Sequence, residues 1–325
     1  MEKVKNDKIK LVPANVAIPV GGEHTRNVQL KEFFQFRCSR KWLGIGVAMG
    51  TLTAMTARRK GGLRLTTFAT LGTVAAYSTM VEPRRPVLER VTLRIPDLPP
   101  ALDGLRIGQL SDMHLGFPHG HPNTQWAVQQ MVAEQPEVLV LTGDFVSLRR
   151  AIADLPALLR PLHAPLGIYA VPGNHDHWEG LEEIRTTLEP LGIVFLMNTN
   201  RRLLWNGAEW WLLGVDDPWY GQPDLEEALR GGPADGFKVL LAHAPDFADK
   251  AIGYRIALQL SGHTHGGHVH LPLAGWLCVP FHGLRYISGL EQVGDMLLYI
   301  SRGLGGAPLR LNCRPEAAVL TLRRG

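Results

Sequence analysis

The segment SGHTHGGHVH, Ser261 to His270, sets His263, His265, His268 and His270 within ten residues as two pairs, each split by one residue. In extended backbone, side chains at i and i+2 share a face, so His263 and His265 can converge on one point where sequence neighbours cannot. That geometry suits metal ligation by imidazole. Residues of the same chemical kind recur upstream: Asp112 and His114 in SDMH, Asp144 in TGDF, Asn174, His175 and Asp176 in PGNHD, and His243 in LAH. Singly, each has a plainer explanation as a turn, a strand end or a histidine bonded to a carbonyl.

Bringing such residues together is the task of the surrounding elements. The stretches LRIGQLSDMH, EVLVLTGDF, LGIYAVPGNHD, GIVFLMN, WWLLGVDD, FKVLLAHAP and IALQLSGHTH are mostly rich in Val, Ile or Leu and end in polar residues. They read as strands. Helical patterns separate several of them; Asn123 to Glu134 would place Ala127, Val128, Met131 and Val132 on one face behind an Asn or Thr cap. Strands alternating with helices imply an α/β body with largely buried sheets. Ligands in open α/β sheets bind beyond the carboxyl ends of the strands, so five segments deliver metal-type side chains to one edge.

As a complete and ordered set, SDMH, TGDF, PGNHD, LAH and SGHTH resemble the calcineurin-like metallophosphoesterases, whose pattern is D-x-H, G-D, G-N-H-D/E, H and G-H-x-H. The likeness runs from about Leu105 through the C-terminal strands. It implies a four-layer αββα sandwich and two divalent metal ions, Mn, Fe or Zn. Asp112, His114 and His265 would hold one ion, Asn174, His243 and His263 the other, with Asp144 bridging. The implied reaction is hydrolysis of a phosphodiester or pyrophosphate by metal-activated hydroxide. His175 would stabilise developing charge or protonate the leaving oxygen. Asp176 would either orient the His175 ring and raise its pKa or serve as a strand-end or helix-cap carboxylate. His177 and Trp178 are expected at the entrance, and His268 and His270 toward substrate or solvent, while Gly262, Gly266 and Gly267 permit a tight turn. Relatives carrying GHTHGG often continue with Gln where this chain has His268.

The GHTHGG form, the N-terminal apolar segment and the ending RLNCRPEAAVLTL look like a bacterial membrane-associated, YaeI/YkuE-like branch similar to UDP-2,3-diacylglucosamine pyrophosphohydrolases. A lipid-linked or nucleotide-linked substrate follows from that resemblance. Trp205, Trp210, Trp211, Trp219, Tyr220 and Trp276 would then line an acyl or sugar site, or else simply pack. Two other classes stay open: a phosphomonoesterase, for which Arg302 would supply an additional cation, and a metal-loaded scaffold without turnover.

Composition and charge frame these readings. The chain has 325 residues, 45% hydrophobic and 20% charged, as folded proteins do. Its +4 net charge is uneven: residues through Arg85 carry +10 and the remainder −6. The basic character therefore belongs to the N-terminal part and argues against a nucleic-acid groove in the body. Cys38, Cys278 and Cys313 show no disulfide spacing. Residues 1–41 read as a basic, loosely ordered head, 42–81 as a hydrophobic helical hairpin or membrane anchor, 82–104 as a connector with a first strand, and 105–325 as the phosphoesterase domain. The uncharged runs Trp42 to Ala57 and Leu65 to Val81, 16 and 17 residues long, fall short of the roughly 20 that one spanning helix needs. Gly46 with Gly50, and Gly72 with Ala75 and Ala76, offer thin packing faces. Basic residues flank both runs and suit a shallow hairpin against anionic headgroups, with the body on the cytoplasmic side. SRKWLG also resembles a degraded twin-arginine signal, which would instead export the body.

Overall fold

The computed structural model describes residues 37–38, 70–272, 275–280, 283 and 285–325. The expected head, apart from Arg37 and Cys38, the first apolar run and the start of the second lie outside the described residues. Residues 70–76 are helical and continue into the wider turn Tyr77–Val81. Among the described residues no helix is long and apolar enough to cross a membrane.

The body is built on two six-stranded mixed sheets. In chain order the strands of the first are β1 (Val87–Ile95), β2 (Arg106–Leu110), β3 (Val138–Thr142), β4 (Ile168–Val171) and β5 (Ile193–Phe195). The second contains β6 (Thr199–Trp205), β7 (Ala208–Gly214), β8 (Lys238–Leu241), β9 (Leu258–Ser261), β10 (Gly289–Val293) and β11 (Met296–Ile300). The last strand, β12 (Glu316–Arg324), returns to the first sheet between β1 and β2, parallel to one and antiparallel to the other. β2, β3, β4 and β5 run parallel, as do β7, β8, β9 and β11. β3 and β4 are buried at every position, as VLVLT and IYAV require when apolar residues point to both faces.

Three apolar clusters separate the layers. Between the sheets, Leu93, Ile107, Val140 and Val171 meet Trp210, Leu212, Val239, Leu260 and Tyr299. Trp210 is fully buried there, so its truncation to Ala would cost about 3–5 kcal/mol. Outside the first sheet lie α1 (Gly120–Glu134), α2 (Leu155–Leu159) and, beyond α3 (Asn174–Glu179), α4 (Leu181–Leu188), which bury Met131, Leu155, Ile184 and Leu188. On the second sheet, α5 (Leu225–Leu229) and α6 (Ala248–Ala251) cover Leu213, Leu240 and Ile300. The layer order is thus helices, sheet, sheet, helices.

α1 differs from its sequence reading in two respects. It begins three residues early, at Gly120, so Asn123 lies inside it and spends its amide on the carbonyls of Pro83 and Leu304. Ala127, Val128 and Met131 are buried as expected, but Val132 is 47% exposed, because one further step of about 100° carries it off the apolar stripe. The helix stops at Gln135, left-handed at φ 49°, followed by Pro136.

Candidate metal centre

Parallel strands end at one edge, and there the chain turns sharply. Asp112 and His114 follow β2, Asp144 follows β3, Asn174 opens α3 after β4, His243 follows β8, and His263 and His265 follow β9. Asp112, His114, Asp144, His263 and His265 all have φ between 45° and 70°, a region that non-glycine residues seldom occupy. Backbone bonds hold these turns: Asp112 N–H donates to the Gly143 carbonyl and His114 N–H to that of Asp144. Two glycines admit close approach, since a Cβ on Gly173 would overlap the Asp144 carboxylate and one on Gly262 that of Asp112.

Donor atoms of Asp112, His114 and His265 lie within 4.8 Å of one another, and so do those of Asp144, His243 and His263. His114, Asp144 and His175 form a third such group, which makes the two clusters contiguous. Nε2 of His114 is 3.1 Å from Nε2 of His265, 3.4 Å from Asp144 Oδ2 and 3.9 Å from Asp112 Oδ1. Nε2 of His243 lies 3.3 Å from the same Asp144 oxygen, out of line for a hydrogen bond. Asn174 Oδ1 is buried with no partner among the described residues. Buried oxygen and nitrogen lone pairs without donors are costly in an apolar interior. Imidazole, carboxylate and amide oxygens gathered in this way fit divalent cations.

Outer groups set which ring nitrogen faces inward. Nδ1 of His243 is 2.6 Å from the Thr142 carbonyl, so it carries a proton there and turns Nε2 toward Asp144. Burial opposes charge on this ring, but the Asp144 carboxylate raises it well above the ordinary imidazole value. Nδ1 of His114 is 2.7 Å from Ser147 Oγ. Ser111 Oγ donates to Asp112 Oδ2 at 2.5 Å, His263 N–H to Asp112 Oδ1 at 3.0 Å, and His175 N–H to Asp144 Oδ1 at 2.9 Å. The fully buried Arg310 donates to the carbonyls of His265, Arg302 and Gly305 and to His265 Nδ1 at 3.3 Å, bracing the histidine loop.

Electrostatics agree with a cation-binding role. Burial pushes Asp112 up to about 7, the nearby His243 offsetting part of that rise. Burial also raises the cost of charge on Asp144, but the His243 and His175 rings hold its carboxyl well below the usual range. Burial keeps His114 and His265 neutral by drawing both well below the ordinary imidazole value. Neutral imidazole is the ligating form, and a divalent ion would stabilise both carboxylates as anions.

Several residues take other places than the sequence suggested. Asp176 does not address the His175 ring: its oxygens accept the N–H groups of Gly173, Asp144 and Phe145, the capping alternative. His268 is buried rather than facing solvent, stacked on His265 at 4.8 Å. His270 packs on Trp276 with ring centroids 4.2 Å apart. Arg302, half-buried, pairs with the partly exposed Glu89 and the buried Glu316, so it is committed to an ion pair instead of a phosphate. Trp210 is core, Trp205 packs against the same cluster, and Trp211 is half-buried on β7. Trp219 and Tyr220 do stand at the site, with Trp178.

Sequence reasoning passed over Ser147, Arg310 and the pair Asp216 and Asp217. The pair had a signal, two acids just past a strand end on the ligand-bearing edge. A serine three residues after Asp144 and a distant arginine carried none.

Comparison with known proteins accords with this geometry. The family model of the calcineurin-like phosphoesterases matches residues 105–267. The metallophosphoesterase YkuE of Bacillus subtilis is 34% identical over 262 residues, covering 78% of this chain and 91% of that protein. Phosphodiesterase YaeI of Escherichia coli is 33% identical, covering 60% of this chain and 74% of its own. A transmembrane protein with metallophosphoesterase domain from Danio rerio is 33% identical over 84% of this chain, which spans 66% of that longer protein. On the matched model and these relatives, the chain belongs to the calcineurin-like phosphoesterase family, in its YaeI/YkuE-like branch.

Proposed function

We propose that the chain hydrolyses a phosphodiester or pyrophosphate bond at a centre holding two divalent cations, Mn, Fe or Zn. The observation that carries this reading is the pair of ligand clusters, one of Asp112, His114 and His265 and one of Asp144, His243 and His263, linked by the group of His114, Asp144 and His175, with the His175 ring 4.5 Å from that of His114. Asp112, His114 and His265 would hold one cation and Asn174, His243 and His263 the other, with Asp144 between. Bound cations supply Lewis-acid polarisation of the phosphoryl group and bring the pKa of water toward neutral.

The chain's own part is positioning and proton transfer. Nδ1 of His175 is buried without a partner among the described residues, and burial lowers its pKa. A proton delivered from this ring to the leaving oxygen as the P–O bond breaks would prevent an alkoxide from building up. Asp176 is a positioning residue, clamping three amides so that Asp144 and His175 keep one geometry. The name of the E. coli relative supports the diester class. Membrane attachment through residues 42–81 fits the names of the vertebrate relatives and the exposed Leu71, Val74, Met80 and Val81, and with such an attachment the substrate would be lipid-linked and the body cytoplasmic.

The test is turnover of bis(p-nitrophenyl) phosphate and p-nitrophenyl phosphate with Mn, with and without chelator, for wild type and His175→Ala. Diester hydrolysis that chelator abolishes and His175→Ala lowers by roughly 10²–10⁴-fold is expected. Preference for the monoester would favour a phosphomonoesterase, and wild type inert toward both would leave the scaffold. A topology reporter fused after Gly325 reads the side of the membrane.

A further inference from the structure

Three aromatic side chains from two segments meet beside the metal-ligand clusters. Trp178 of α3 lies 4.5 Å from the His175 ring, 4.7 Å from Tyr220 and 5.9 Å from Trp219. Trp219 in turn stands edge-on to His263 at 5.6 Å. The aromatic group therefore touches both the proposed proton donor and a proposed ligand. Tyr220 is 36% exposed, so the ledge reaches from the centre toward solvent.

The two acids after β7 build this ledge. Asp217 is fully buried, and its Oδ2 accepts the N–H groups of Trp219 and Tyr220 at 2.9 and 2.6 Å, fixing the turn that presents both rings. Asp216 accepts the Gln222 N–H at 2.9 Å and meets His177 Nε2 at 2.8 Å, fastening the same loop to α3. Those bonds pre-order the rings, so little conformational entropy is lost when a ligand covers them. Carboxylates and imidazoles dominate the local charge. The charged or ionisable side chains bonded into the ledge are Asp216, Asp217 and His177. Aromatic rings flanked by carboxylates reward burial of apolar area and disfavour a second anion.

We infer that Trp178, Trp219 and Tyr220 form the subsite for one ester group of the substrate, and that this group is an apolar alcohol. The inference rests on the phosphodiesterase reading above and narrows it to diesters carrying a single negative charge.

The test uses three diesters of phosphoglycerol, with methanol, octanol or benzyl alcohol as the second alcohol. They are supplied below micelle-forming concentrations to the Mn-loaded full chain, and products are separated by chromatography. Wild type should favour the octyl and benzyl esters over the methyl ester in kcat/KM by about tenfold or more. Tyr220→Ala and Trp219→Leu should each shrink that ratio several-fold, with metal content and melting temperature confirming intact centres and folds. Tryptophan fluorescence provides a second readout, because octyl methylphosphonate should quench wild type at lower concentration than Tyr220→Ala. Equal turnover of all three esters, or a preference that survives both substitutions, would overturn the subsite while leaving the phosphodiesterase reading standing. No turnover of any diester with metal bound would overturn that reading, and the subsite with it.

Discussion

The Nε2 atoms of His114 and His265 face each other at 3.1 Å, although 151 residues separate them in the chain. Burial holds both imidazoles neutral, and both Nε2 atoms face one space beside the Asp112 carboxylate. Arg310 donates to His265 Nδ1, so the neutral His265 ring carries its proton on Nε2, toward His114, and a cation bound between the rings would displace that proton. Adding Mn should therefore stabilise the fold by about 2.7 kcal/mol at a hundred times the dissociation constant. Chelator should reverse the gain, and His265→Ala should lower the metal-to-protein ratio measured by elemental analysis. A melting temperature indifferent to metal and chelator would contradict this.

Ser147 touches no proposed cation yet sets the His114 ring through the 2.7 Å contact at Nδ1. Ser147→Ala should weaken metal affinity by roughly 10–100-fold with the fold intact. Metal titration followed by calorimetry reads the change, and Ser147→Thr should restore most of it.

Stability should fall on the acid side in part because of His119. It is buried at the start of α1, and burial lowers its pKa from 6.5 to about 4. Above pH 6.5 the ring is neutral in both folded and unfolded chains and contributes no pH dependence. Between 6.5 and about 4 only the unfolded chain takes up the proton, so stability drops as pH falls, by about 2 kcal/mol at pH 5. His119→Gln should flatten that limb in urea unfolding curves collected from pH 7 to pH 4.5.

Arg302 makes an ion pair with Glu316, which is buried and also accepts the Tyr299 hydroxyl at 2.9 Å. Arg302→Ala strands that carboxylate and should cost about 3 kcal/mol of stability. KM for a small diester should hardly move, because the guanidinium is engaged by Glu89 and Glu316. A large rise in KM with unchanged stability would return Arg302 to the substrate.

Pattern and chemistry together made much of this protein legible from the amino acids alone. Buried parallel strands must be apolar on both faces, so VLVLT and IYAV announced themselves. Metal-type side chains just past strand ends, as in SDMH and LAH, are recognisable because few other residues do that work. Local periodicity was blind to three features. The insertion of β12 between β1 and β2 depends on pairings between residues over 200 positions apart. Asp176 and Asp217 spend their oxygens on backbone amides that no spacing rule identifies. Trp210 and Trp219 are the same residue type in neighbouring stretches, yet one fills the core and the other stands beside His263.

The sequence by itself determined the inventory: which strands alternate with helices, and which acids, histidines and amide can ligate. Those properties reside in side-chain chemistry and short-range period. Tertiary structure alone decided which of these groups share a point, which are walled off by burial, and which aromatic rings frame the centre. Convergence and desolvation arise only when distant segments pack, and no local stretch encodes them.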